Sequence, residues 1–123
     1  MQVSMTRLIL YVRDVARLKS FYQTHFGFPV IEEISDQWAV LLAGQVELAL
    51  HLAGKSFRTT PVASVQSNAK LVFTVDSGLA ELRSKLEKAD VPVGEIKRYQ
   101  GFAYSLCDGR DPEGNVFQLS QLD

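Results

Sequence analysis

One order of elements runs through this chain twice, and the repeat limits the possible folds more than any single motif does. Arg7 and Lys70 each begin an alternating stretch and lie 63 residues apart (70 − 7), and Pro29 and Pro92 each open a later stretch at the same offset (92 − 29). Each copy reads as a strand, an amphipathic helix and three more strands, which argues for duplication of one βαβββ module rather than two unrelated halves. A module of this size buries one face of a small sheet under one helix and leaves the other face open. Function is therefore expected on that second face.

In the first copy, Thr6 to Val12 alternates, with Leu8, Leu10 and Val12 on the core side and Arg7, Ile9 and Tyr11 on the other. Asp14 is placed to cap a helix carrying Val15, Leu18, Phe21, Tyr22 and Phe26, and Gly27 is placed to end it. Strands follow at about Val30 to Ile34, Gln37 to Leu42 and Val46 to Leu52. In the last of these Val46, Leu48, Leu50 and Leu52 face inward, and Glu47, Ala49 and His51 face away. The region from Ala53 to Asn68 has no sustained period and reads as a linker, solvated or folded over the open face.

The second copy begins with Lys70 to Val75, with Leu71, Phe73 and Val75 inward. Asp76 or Ser77 is expected to cap a helix with Leu79, Leu82 and Leu86, and strands are predicted over Val93 to Arg98, Phe102 to Cys107 and Val116 to Leu122. Asp111-Pro112-Glu113-Gly114-Asn115 forms a tight turn ahead of the final strand. There Phe117 and Leu119 point one way and Val116, Gln118 and Ser120 the other. The predicted organisation is one domain over 1–123, with modules at 5–53 and 69–123 joined by a linker at 54–68.

Composition removes several functions. The 46% hydrophobic and 22% charged fractions are those of a globular protein, and a net charge of −1 with interspersed signs gives no footprint for nucleic acid or an anionic membrane surface. Apolar runs such as Leu8 to Val12 are far short of the roughly 20 residues of a membrane span. No export signal opens the sequence, and the single cysteine, Cys107, forms no intrachain disulfide, so a cytoplasmic protein is expected.

Leu8-Ile9-Leu10-Tyr11-Val12-Arg13-Asp14 running into Phe21-Tyr22 and Phe26-Gly27-Phe28, the duplicated module, and the Asp111 to Asn115 turn together resemble the vicinal oxygen chelate superfamily. That group includes glyoxalase I, bleomycin-resistance proteins, extradiol dioxygenases and fosfomycin-resistance enzymes. The resemblance implies an α+β fold of two tandem βαβββ modules forming a curved mixed sheet round a concave pocket, within a homodimer. In the enzymes of the group, it implies a divalent metal held near the start of the first strand and on the last strand of each module. Carried over, those positions are Arg7, Glu47, Lys70 and Gln118.

Two of these four are cations with donors only, which no metal accepts as ligands. The expectation is therefore a protein with no metal or other cofactor, binding a small organic ligand through Arg7, Glu47, Lys70 and Gln118, with Tyr11, His51 and Tyr104 beside them. Arg7, Glu47 and Lys70 would equally serve as an ion-pair network that only closes the pocket, with Gln118 bonding its neighbours. Trp38 and Phe102 belong either to an aromatic wall or to packing, and Cys107 reads as an ordinary buried thiol. Two other readings compete. One is a lyase or oxygenase, metal-dependent or atypical, with Glu47 or His51 as base, and the other is an interaction module whose pocket is filled by its own side chains.

Overall fold

The computed structural model describes residues 1–59, 61 and 67–123. The chain divides into two compact units, Met1–Pro61 and Val62–Asp123, at a boundary inside the predicted linker.

The first unit runs β1 (Arg7–Val12), α1 (Val15–Phe26), β2 (Val30–Ile34), β3 (Trp38–Ala43), β4 (Val46–Leu52) and a single helical turn, α2 (Lys55–Arg58). Its four strands are ordered β1-β4-β3-β2, with β1 parallel to β4 and the other pairs antiparallel. The reversals fall where the chain accepts positive φ: Asp36 at 62° between β2 and β3, and Gly44 at 68° between β3 and β4. Asp14 caps α1 by accepting the Arg17 N–H at 3.0 Å, and Gly27 ends the helix in the left-handed conformation at φ 70°. Val15, Leu18, Phe21 and Tyr22 are buried, as are Ala39, Leu41, Leu48 and Leu50 on the inward face of the sheet. Lys19 of α1 pairs with Glu33 on that same inward face of β2.

Ala49 departs from the alternation. It lies on the outward face, as expected, yet it is fully buried, and so is its neighbour Val40. The predicted linker also departs in part, since Lys55–Arg58 is helical. Thr60 and residues 62–66, on which the suggested covering role of the linker also falls, lie outside the described residues.

The second unit runs β5 (Lys70–Val75), α3 (Leu79–Lys88), β6 (Tyr104–Arg110) and β7 (Val116–Leu122), with strand order β5-β7-β6. β5 is parallel to β7, and β6 is antiparallel to it. Leu71, Cys107, Phe117 and Leu119 are buried on one face of this sheet, together with Leu79 and Leu86 of α3 and Val91 after it. The cap of α3 differs from expectation. Gly78, at φ 79°, holds the N-cap position, and the Leu79 N–H is taken at 2.9 Å by Oε1 of Gln121 from β7.

The strand predicted over Val93 to Arg98 does not form. Only two isolated bridges join this segment to β6, Val93 to Gly109 and Lys97 to Leu106. Four residues separate the bridges on one side (97 − 93) and three on the other (109 − 106), so pairing begun at one bridge is out of register at the other. The second module therefore has three strands where the first has four. The chain builds two sheets of four and three strands, not the eight strands that two complete modules require. β6 also starts later and runs further than Phe102 to Cys107, ending at Arg110.

The turn between β6 and β7 matches its sequence. Asp111 is buried and its carboxylate accepts the N–H groups of Glu113 and Asn115 and the Asn115 side-chain amide, each at 2.9 Å, while Gly114 takes φ 82°.

Candidate functional site

In each sheet the face turned away from its helix is a grid set by the strand register. In the first unit, Arg7 lies beside Glu47 and Leu42, Ile9 beside Ala49 and Val40, and Tyr11 beside His51 and Trp38. Arg7 donates to Glu47 Oε1 at 3.3 Å, and its guanidinium carbon lies 5.5 Å from the centre of the Trp38 ring. Since Trp38 is four residues along and two strands over from the row of Arg7, the arginine side chain crosses the middle row. Ala49 and Val40, in the row between Arg7 and Trp38, are fully buried.

Trp38 donates its indole N–H to Glu32 at 2.6 Å, so it belongs to this polar face and not to the core. His51 sits between Tyr11 and Trp38, with ring centres 5.2 and 5.6 Å away. Its Nδ1 lies 2.8 Å from the Leu52 carbonyl oxygen. A carbonyl only accepts, so Nδ1 is the donor in this bond. Glu47 and His51, the two candidate bases, thus have separate partners: Glu47 is committed to an ion pair with Arg7, and His51 bonds the Leu52 carbonyl through Nδ1.

In the second unit, Lys70, Val116 and Arg110 form one row and Val72, Gln118 and Asp108 the next. Lys70 reaches across β7 and donates to Asp108 Oδ2 at 2.7 Å, and Gln118 Nε2 donates to Asp108 Oδ1 at 3.0 Å. Burial alone pushes the Asp108 carboxyl upward. The hydrogen bonds from Lys70 and Gln118, with the positive charges of Lys70 and Lys97, outweigh it and hold the group below the usual aspartate range. A cleft of about 420 Å³ opens beside the pair, lined by Lys70, Asp108, Arg110, Pro92, Val93 and Val116. A smaller one of about 160 Å³ adjoins it, with Lys97, Glu95, Tyr99 and Gln118 in its wall.

The four predicted positions therefore meet as two clusters, Arg7 with Glu47 and Lys70 with Gln118, each within its own unit. Tyr11 and His51 touch one another. Tyr104 does not join the second cluster: it stands four residues from Asp108 along β6, roughly 13 Å at strand rise, and packs on Phe102 at 5.8 Å. Sequence reasoning missed Asp108. The predicted strand stopped at Cys107, whereas pairing β6 to β7 outward from the Asp111 turn places Asp108 opposite Gln118. Cys107 is buried, and burial pushes its thiol up, against the pull of Arg83.

These side chains do not fit a divalent metal. Each cation closes on the carboxylate that a metal would need, and among the described residues no three His, Cys, Asp or Glu side chains group to hold an ion.

The duplicated module and the two outward faces define the class of protein. Residues 4–119 match the Glyoxalase/Bleomycin resistance protein/Dioxygenase superfamily, and the chain belongs to that family, to which the vicinal oxygen chelate resemblance pointed. Among solved structures, it is similar to lactoylglutathione lyase from Agrobacterium tumefaciens, at 20% identity and TM-score 0.77 over 98% of this chain and 94% of that one. It is also similar to an integron cassette protein from the mobile metagenome of V. cholerae, at 24% identity and TM-score 0.75 over 100% and 98% of the two chains. A virulence protein from Salmonella typhimurium aligns at 22% identity and TM-score 0.72 over 100% and 99%. At these identities the likeness speaks to the fold alone. No curated protein matches the chain.

Proposed function

We propose that this chain is a metal-independent member of its family that binds a small organic molecule. The observation that carries the reading is the Lys70–Asp108–Gln118 cluster at the edge of an open cleft, where a fixed ammonium and a carboxylate supply charge without an ion. The cleft volume lies within the roughly 300–1,000 Å³ of ligand pockets, and its openness favours a binder over a module whose pocket is filled by its own side chains. Assembly as a homodimer in the cytoplasm belongs to the same reading. The exposed Ile9, Tyr11 and Val72 on the outward sheet faces support the dimer.

Two measurements test it. Calorimetric titration with Ni, Zn, Mn and Fe is expected to show no tight site, and one firmly bound ion per subunit overturns the metal-independent reading. Thermal-shift screening against a panel of metabolites and antibiotics is expected to return compounds that raise the melting temperature, since only ligands of the folded state do so. A panel without effect removes the binding function. Sedimentation at micromolar concentration checks the dimer, which a monomer mass excludes.

A further inference from the structure

Charge and wall chemistry in the second unit narrow the ligand class, an inference that rests on the binding function proposed above. The larger cleft carries two cations, Lys70 and Arg110, against one carboxylate, Asp108, so one positive charge is left over. Lys70 has three donor hydrogens and gives one to Asp108. Arg110 gives one N–H to the Gly114 carbonyl at 3.2 Å and forms no ion pair among the described residues. Lys70 and Arg110 both flank Val116 in the same row, and they point to the same side of the sheet. The adjoining smaller cleft shares Lys70 and Asp108 and adds Lys97 and Glu95, so the two clefts together still carry one excess positive charge. The remaining wall of the larger cleft includes Pro92, Val93 and Val116, which offer only apolar surface.

We infer that the cleft takes an organic monoanion with an apolar body: a carboxylate received between Lys70 and Arg110, and a hydrocarbon or aromatic portion laid against Pro92, Val93 and Val116. The bound carboxylate neutralises the excess charge, and charge-assisted hydrogen bonds from two cations hold it. Asp108 keeps the Lys70 ammonium aimed across β7 and repels a second negative charge. A phosphate dianion is therefore a poorer fit than a carboxylate.

Four probes that share one ring test this by calorimetry or protein-observed NMR: benzoate, phenyl phosphate, benzyl alcohol and benzylamine. Benzoate is expected to bind at least tenfold more tightly than the alcohol and the amine, and more tightly than phenyl phosphate. Its affinity is expected to fall about tenfold in Arg110→Gln, the loss of one charge-assisted hydrogen bond. Arg110 is exposed on the last residue of β6, so this variant retains the fold, and its amide spectrum checks that. Equal binding of alcohol and benzoate, preference for phenyl phosphate, or an Arg110→Gln variant that binds benzoate unchanged each overturns the inference. If benzoate fails while other compounds of the metabolite panel stabilise the protein, the binding function stands and the carboxylate assignment falls. Failure of every compound removes both.

Discussion

Gly109 shows how one residue ties the core of the second unit to its outward face. A Cβ there would meet the Phe117 ring at 2.3 Å, and the two residues are opposite one another in the β6–β7 register. The aromatic ring occupies the space that a side chain on β6 would fill. Gly109→Ala is expected to cost about 1–3 kcal/mol, the range for overpacking a tight core, as read by urea denaturation. A variant as stable as the parent would show that Phe117 moves freely. Asp108, one residue earlier, points the other way. Because its folded-state pKa is lowered, the stability it adds is present above the unfolded aspartate value, near 3.9, and is lost as pH falls through the folded value. The pair is part exposed, so Asp108→Asn is expected to cost at most about 1 kcal/mol at pH 7 and nothing at the acid end. Denaturation of both proteins from pH 7 down to about pH 2 checks this: the difference is expected to shrink once pH falls below the unfolded aspartate value, and a deficit of constant size throughout removes the ionic cause.

Most elements were legible from their own residues. Alternation in β1 and β5 set the faces correctly because each has one side more buried than the other, and in β4 and β7 it did so except that Ala49 and Ser120, on the outward side, are buried as well. Asp14 and Gly27 bounded α1 because capping and the left-handed turn are local chemistry. Three features were not legible, each because it depends on a partner distant in sequence. α3 takes its cap from Gln121 on β7, the 93–98 segment fails on a one-residue mismatch with β6, and Ala49 is buried in the row between Arg7 and Trp38, which approach each other from different strands. Gln121→Ala follows from the first of these. It leaves the Leu79 N–H without its acceptor, and faster hydrogen exchange over the first turn of α3 is expected, with β5 unchanged. Unaltered exchange at Leu79 would mean that water replaces the glutamine fully.

Across the whole chain, the duplication was the most readable property and its divergence the least. β1 and β5 keep the offset of 63 at both ends (70 − 7 and 75 − 12), but β4 and β7 are separated by 70 (116 − 46). The second copy therefore holds seven more residues before its last strand than the first. The candidate site was half legible. Alternation placed Arg7, Glu47, Lys70 and Gln118 on the outward faces, whereas Asp108 lies on β6, which runs past its expected end at Cys107. The pairs Arg7–Glu47, Lys19–Glu33, Lys70–Asp108, Arg83–Glu87 and Arg98–Asp123 each leave a quarter or more of both side chains exposed. Such pairs contribute little, and the buried apolar side chains carry the fold. Raising NaCl from about 0.05 to 0.5 M, which cuts the screening length severalfold, is expected to move the melting temperature by less than about 4 °C. A larger fall in calorimetry would assign the stability to charge.

The irregular segment from Val93 to Lys97 has one more effect. β6 is the edge of its sheet, and an uncovered edge strand offers a row of backbone groups to any other extended chain. Bridged at Val93 and Lys97 and out of step between them, this segment occupies that edge without presenting a regular edge of its own. The mismatch that costs the second module a strand therefore also leaves no regular edge beside β6 for another extended chain to lengthen.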